Sequence, residues 1–107
     1  MSAEHQYEQL TQHLIQHKNV VASQMFGKPC LKVNGKAFLA RHQKVLVFKL
    51  SGDAHKQALA QQGAVLWDPS GKSRPMKEWV AIPAEHLSDV DAKKFSNQAF
   101  AYVTATS

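Results

Sequence analysis

Apolar residues along the middle of the chain come in short runs separated by polar breaks, and this pattern predicts β-strands. Residues 25–50 read MFGKPCLKVNGKAFLARHQKVLVFKL, with breaks at Asn34-Gly35 and near His42-Gln43. Asn34 and Gly35 both tolerate the positive φ that a type I′ turn requires, so the flanking runs are predicted to form a β-hairpin. A second reversal is predicted near His42-Gln43, after which the β-branched and aromatic run 45–50 returns as a strand.

The start of the chain shows helical spacing instead. Ala3, Tyr7, Leu10 and Leu14 recur at intervals of four, three and four, which predicts an amphipathic helix from about Ala3 to Lys18. Residues 20–26 fit either a first strand or a loop, and the tripeptide at 27–29 is expected to break this segment before the next strand.

The second half of the chain is predicted to alternate between helices and strands. Asp53 or Ser51 can cap a short helix over 54–62, and Gly63 is its natural stop. Strands are predicted at 64–67 and 78–82, separated by a turn at 68–71 and a basic tip or loop at 72–77.

A final helix is predicted after Ser88, with Asp89 and Asp91 suiting its positive end. Its buried face is expected to carry Ala92, Phe95, Ala99, Tyr102 and Val103. The order α-β-β-β-β-α-β-β-α predicts one α+β domain over residues 1–107, with an antiparallel sheet of about five to six strands packed with three helices.

The register around Asn34-Gly35 predicts which side chains share a face of the sheet. Val33 should face Lys36 and Leu31 should face Phe38. One face then collects Leu31, Val33, Phe38, Ala40, Val45 and Val47. The other collects Cys30, Ala37, Leu39, Leu46, Phe48 and Leu50, with Lys32 and Arg41 among them.

Both of these faces are apolar, whereas an antiparallel sheet usually leaves one face to water. Three helices are expected to cover one face well and to leave Leu39, Leu46 and Phe48 on the other incompletely covered. A homodimer is therefore predicted, with a second subunit as the cover. The alternative is that the first and last helices lie on opposite faces and close the core within one chain.

Composition favours an ordinary globular protein in a reducing compartment. Hydrophobic residues make up 44% of the 107 residues and charged residues 20%. The N-terminus lacks a basic region followed by an apolar one, and no apolar run approaches the ~18 residues that a membrane span needs. Cys30 is the only cysteine, so no internal disulfide can form. We expect a cytoplasmic protein without membrane partners.

Positive charge is concentrated in the predicted sheet. Six basic residues and no acidic one lie between Lys28 and Lys49, and the formal net charge is +5. This asymmetry suggests an anionic partner such as nucleic acid, although lysines on strands also keep sheets soluble. The candidate nucleic-acid or partner surface comprises Lys32, Lys36, Arg41, Lys44, Arg74 and Lys77.

No residue pattern identifies catalytic or metal chemistry. His13 and His17 have the spacing of two metal ligands on a helix, but no third ligand follows, so solvated histidines are expected. Cys30 is expected to pack in the core rather than act as a nucleophile. Trp67 and Trp79 lie in predicted strands near basic residues; stacking on bases is one interpretation, and core packing is favoured. No cofactor or metal is predicted.

Several short motifs, taken in order, resemble the TfoX N-terminal domain family. They are Met25-Phe26-Gly27, Leu31 to Lys36 with Phe38, Asp53 and Gly63 at the ends of the short helix, and Met76, Trp79 and Pro83. The resemblance covers nearly the whole chain. It implies an α+β fold with an antiparallel sheet, in a group that includes YgaC-like and secretion-chaperone-like domains and is comparable to YjbR-like proteins.

The family's namesake regulates natural competence and carries a further C-terminal domain, and the family offers no catalytic residues to assign. The leading hypothesis is therefore a non-enzymatic regulatory module that acts through protein contacts. DNA or RNA binding through the basic surface from Lys28 to Lys77 is the alternative. A third hypothesis is an enzyme whose site is assembled from dispersed residues.

Overall fold

The computed structural model describes residues 3–69 and 76–106, and its elements follow the predicted order. They are α1 (Ala3–Leu14), β1 (Val20–Met25), β2 (Lys28–Val33), β3 (Lys36–His42), β4 (Val45–Lys49), α2 (Gly52–Leu59), β5 (Val65–Trp67), β6 (Met76–Pro83), a 3₁₀ turn (Ala84–His86) and α3 (Asp89–Thr106). The strands form one six-stranded antiparallel sheet in the order β1-β2-β3-β4-β6-β5. The predicted α+β fold is confirmed.

Two-residue turns connect the first four strands. Asn34 and Gly35 have φ of 52° and 81°, which confirms the predicted type I′ turn. Phe26 and Gly27 also have positive φ, at 54° and 75°, and form a second turn of this kind. Residues 20–25 are therefore a strand, and the predicted break at 27–29 is wrong beyond Gly27, because Lys28 and Pro29 belong to β2. The last reversal lies at Gln43-Lys44, one residue later than predicted.

A register shift in the β2–β3 hairpin changes the predicted faces. Val33 pairs with Lys36 as predicted, but Leu31 pairs with Leu39 rather than Phe38. Phe38 is the extra residue of a β-bulge, so the alternation of side chains restarts after it. The assignment of Ala40, Val45 and Val47 to the face of Leu31 is therefore wrong.

All three helices pack on one face of the sheet, where they build the larger core. This core includes Leu10 and Leu14 from α1, Ala58 from α2, and Phe95, Ala99 and Val103 from α3. The strands contribute Leu31, Val33, Phe38, Leu39, Leu46, Phe48, Val80 and Ile82. The predicted buried face of the last helix is confirmed, although Tyr102 is only half-buried.

Local capping chemistry accounts for only some of the helix ends. Ser51 stands at the N-cap of α2 without a side-chain hydrogen bond, and α2 ends at Leu59 rather than at the predicted residue 62. Ser88 caps α3 as predicted, because the Asp91 N–H donates to its Oγ at 3.1 Å. Helix α1 ends at Leu14, four residues before the predicted Lys18. Gln6 is buried beside the apolar stripe and donates through Nε2 to the Leu87 carbonyl at 2.8 Å, which ties α1 to the segment before α3.

The predicted dimer was expected to cover apolar side chains that the helices leave exposed, and the burial pattern shows that no second subunit is needed for this. Leu39, Leu46 and Phe48 are fully buried beneath the helices of the same chain. The alternative of helices on opposite faces is also wrong, because α1 and α3 contribute to the same core. The dimer itself stays a prediction, and it needs a different surface.

Among the described residues, no helix is both long enough and apolar enough to cross a bilayer.

Candidate functional site

The sheet face turned away from the helices, called here the helix-free face, carries a second and smaller core. Cys30, Ala40, Val47 and Ala81 pair in turn across β2, β3, β4 and β6, so they form one continuous row. All four are buried, and three of them are small. The space above the row is filled by Trp67 and Trp79, which belong to the same cluster.

Trp67 is the residue that closes the helix-free face. It projects from edge strand β5, and its Nε1–H donates to His42 Nδ1 on β3 at 3.0 Å. Its ring centroid lies 5.7 Å from that of Trp79 and 6.1 Å from that of Phe26 in the β1–β2 turn. The predicted core role of Trp67 and Trp79 is confirmed, since they are 2% and 5% exposed.

This contact requires the sheet to curl. In the strand order, β5 and β3 are separated by β6 and β4, which in a flat sheet would place them about 14 Å apart. Register shifts between Leu31 and Lys32 and between Leu66 and Trp67 interrupt the ladders on both sides. Bulges increase local twist, so they explain how the edge strand folds back over the helix-free face.

Three lysines surround this second core. Lys28 pairs with Met25, Lys32 with Ala37 and Lys49 with Trp79, and each of these partners packs in or against the cluster. All three lysines are half-exposed.

The described strands offer these lysines no acidic neighbour on the same face. Glu78 is the one acidic residue within the six strands, and it accepts a hydrogen bond from the Tyr102 hydroxyl on the helix side. The helix-free face is therefore cationic at its border and apolar at its centre.

Two titratable groups belong to this site. Burial lowers the pKa of His42 and the neighbouring charge of Lys28 lowers it further, which favours the neutral ring. A neutral ring is what the Trp67 hydrogen bond needs, because Nδ1 must be unprotonated to accept. Burial raises the pKa of the Cys30 thiol, with Lys32 opposing the shift. A buried thiol of raised pKa fits the predicted packing role of Cys30.

The predicted basic surface divides between different parts of the molecule. Lys32 lies on the helix-free face, whereas Arg41 pairs with Leu46 and its Nη1 lies 4.0 Å from Glu4 Oε1 of α1. Lys36 pairs with Val33, which belongs to the helix-side core. The remaining candidates are Lys44 in the β3–β4 turn, Lys77 exposed near the start of β6, and Arg74, which lies outside the described residues.

A groove beside the Glu4–Arg41 pair separates α1 from the β3–β4 turn. Its volume is about 310 Å³, and its lining includes Glu4, Lys44 and Glu85. Because carboxylates and an ammonium group are mixed there, the groove does not select a ligand of one charge.

His13 and His17, the two histidines spaced four residues apart, lie in different surroundings. His17 lies beyond the end of α1, where its ring packs on Phe100 at 4.7 Å between centroids. His13 remains exposed on the helix. Among residues 3–69 and 76–106, no three side chains of the types His, Cys, Asp and Glu come together as metal ligands would.

Two residues of the site escaped prediction from the sequence. The sequence places His42 only in a turn, and it places Phe26 only at the end of the strand or loop over 20–26 and in a family motif. Their contacts with Trp67 join positions 25 and 41 residues apart in the sequence, which no local pattern encodes.

The family model described as the TfoX N-terminal domain matches residues 10–101. No curated protein and no solved structure matches the chain.

Proposed function

The chain belongs to the TfoX N-terminal domain family, because the family model covers residues 10–101 of 107. From this premise we propose that it is a competence-regulator-related module that acts by binding an acidic protein surface and not by catalysis. The observation that carries the proposal is the helix-free face, where Lys28, Lys32 and Lys49 surround an apolar centre. Its unpaired, buried Cys30 suits a cytoplasmic setting.

The two tryptophans of this face favour a protein partner over nucleic acid. Bases stack on exposed rings, but Trp67 and Trp79 are buried against the sheet. Phe26 is 62% exposed and Val21 is 53% exposed, so apolar side chains lie beside the lysines. An apolar patch bordered by cations is complementary to a protein surface that combines apolar and acidic groups.

Nucleic acid is the second candidate, and the charge distribution favours it. The helix-free face offers three lysines without an acidic residue on its described strand positions. Lysine contacts to phosphate need no sequence readout and weaken steeply as salt rises.

Charge reversal tests the proposed face against a matched control. The test protein carries Lys28→Glu, Lys32→Glu and Lys49→Glu. The control carries Lys18→Glu, Lys56→Glu and Lys93→Glu, which change the charge equally at exposed positions on the helix side. We expect affinity capture from the source cell to retain the same partner with the wild type and the control, and to lose it with the test protein. Equal loss from both would show that the face is not specific.

A gel-shift assay at low and high salt separates the two candidates. The protein-binding proposal expects no retardation of DNA or RNA at either salt concentration. Retardation that disappears at high salt and in the Lys28, Lys32 and Lys49 reversal, but persists in the control, would establish the second candidate instead.

A further inference from the structure

Strand β1 leaves one long edge of the sheet without a described partner. It runs from Val20 to Met25 and pairs with β2 on one side. Among residues 3–69 and 76–106, no strand pairs with its outer side. The opposite edge, β5, has only three residues, so β1 offers the longer template for pairing.

The β1–β2 turn determines which backbone groups point outward. Phe26 and Gly27 form a two-residue turn, so Met25 and Lys28 exchange backbone hydrogen bonds. From this pair onward, opposite residues of β1 and β2 alternate between pairs that exchange hydrogen bonds and pairs that do not. Gln24 pairs with Pro29 at a position that exchanges no bonds, which suits a proline without an N–H. By the same alternation, the N–H and C=O groups of Ala22 and Gln24 point away from β2.

The side chains of β1 lack the devices that normally block edge pairing. Its sequence VVASQM contains no charged residue and no proline. Sheets usually discourage pairing at exposed edges with lysine, proline or a bulge. A strand without charge can also lie beside a copy of itself without placing like charges opposite each other.

We propose that β1 pairs antiparallel with β1 of a second copy of this chain, about a two-fold axis at Ser23. This register places Ala22 opposite Gln24 of the second copy, and Gln24 opposite Ala22 of the second copy. The outward N–H and C=O groups of both residues then form hydrogen bonds across the junction. It also places Val21, which is 53% exposed, beside Met25 of the second copy. Isologous pairing of this kind closes after two subunits.

The pairing has a consequence for the surface of the assembly. A two-fold axis perpendicular to the sheet keeps both helix-free faces on the same side. The lysines of the two subunits would then border one continuous surface, with Lys32 of each subunit next to the junction because it pairs with Val21.

Sedimentation equilibrium over a range of concentrations tests the proposal. We expect the wild type to shift from 11.9 kDa toward twice that mass as concentration rises. Val21→Glu should remain monomeric, because its carboxylate would lie against Met25 of the second copy, while the folded monomer tolerates it beside Lys32. Gln24→Pro should also remain monomeric, since it removes an outward N–H without removing a bond to β2.

The matched control is Val65→Glu, which introduces the same charge at an exposed valine of the opposite edge strand. It should dimerise like the wild type. In the wild type, amide exchange at Ala22 and Gln24 should slow as concentration rises. A monomer at every concentration would overturn the proposal. The edge of β1 would then be left to solvent or to a peptide of another protein. A dimer that survives Val21→Glu and Gln24→Pro would overturn it as well.

Discussion

At the scale of single residues, His42 connects the protonation state of the protein to the closure of its helix-free face. Its Nδ1 accepts from Trp67 at 3.0 Å, so protonation at Nδ1 would replace an acceptor by a second donor. Burial and Lys28 both lower the pKa of His42 below its ordinary 6.5, so the folded protein holds the neutral ring. The unfolded chain loses both effects and protonates more readily.

The free energy of unfolding should therefore depend on pH through His42. Because the folded pKa is lowered, the stabilisation is present above the ordinary pKa of 6.5 and is lost as the pH falls through the folded pKa. His42→Gln keeps an acceptor for Trp67 but cannot titrate. We expect the wild type to lose more stability than this variant between about pH 8 and about pH 5 in denaturant titrations. Parallel pH profiles would contradict the assignment.

Gly35 tests the hairpin turn at the same scale. Its φ is +81°, and a Cβ added there would meet no atom within 4 Å, so the cost of a side chain is conformational and not steric. Gly35→Val should destabilise the protein by about 1–3 kcal/mol, because a β-branched residue is strained at positive φ. Gly35→Asn should cost less, since asparagine tolerates this region. An unchanged melting temperature in Gly35→Val would contradict the turn.

At the scale of elements, local signals were sufficient wherever a short segment determines its own conformation. The Asn34-Gly35 turn was predictable because both residues tolerate the positive φ that the turn requires. The Ser88 cap was predictable because a serine hydroxyl can accept a hydrogen bond from a backbone N–H of the first helical turn. The bulge at Phe38 was not predictable, because it arises from how β2 and β3 pair and leaves no mark in the alternation of apolar residues. One extra residue there was enough to move Ala40 and Val47 to the opposite face.

The row of small residues on the helix-free face can be tested by overpacking. Ala40 is fully buried and belongs to the cluster that Trp67 and Trp79 cover. Ala40→Leu should therefore destabilise the protein by about 1–3 kcal/mol, because the added atoms have no free space beneath the indoles. Ala37→Leu, at a half-exposed position of the same strand, is the control and should cost less. Equal midpoints in urea for both variants would contradict the packing assigned to this row.

At the scale of the whole molecule, one sheet separates two cores. The helices lie over the larger core, and Trp67 and Trp79 cover the smaller one. Sequence patterns predicted that helices cover one face of the sheet, but they placed Leu39, Leu46 and Phe48 on the other face. They could not predict the smaller core, because it depends on the curl that brings β5 within reach of His42.

The two cores should unfold together, and the chain supplies a separate probe for each. Its only two tryptophans both lie in the smaller core, so tryptophan fluorescence follows the helix-free face. Far-ultraviolet circular dichroism follows the helices, all of which pack on the larger core. Strands β2, β3, β4 and β6 contribute side chains to both cores, so neither side can lose its packing without disturbing the strands of the other.

We expect the two signals to give one midpoint in urea, and Cys30 to react with a thiol reagent over the same range. A fluorescence transition and Cys30 labelling that both precede the loss of helix signal would contradict this coupling, and would show that the helix-free face opens on its own.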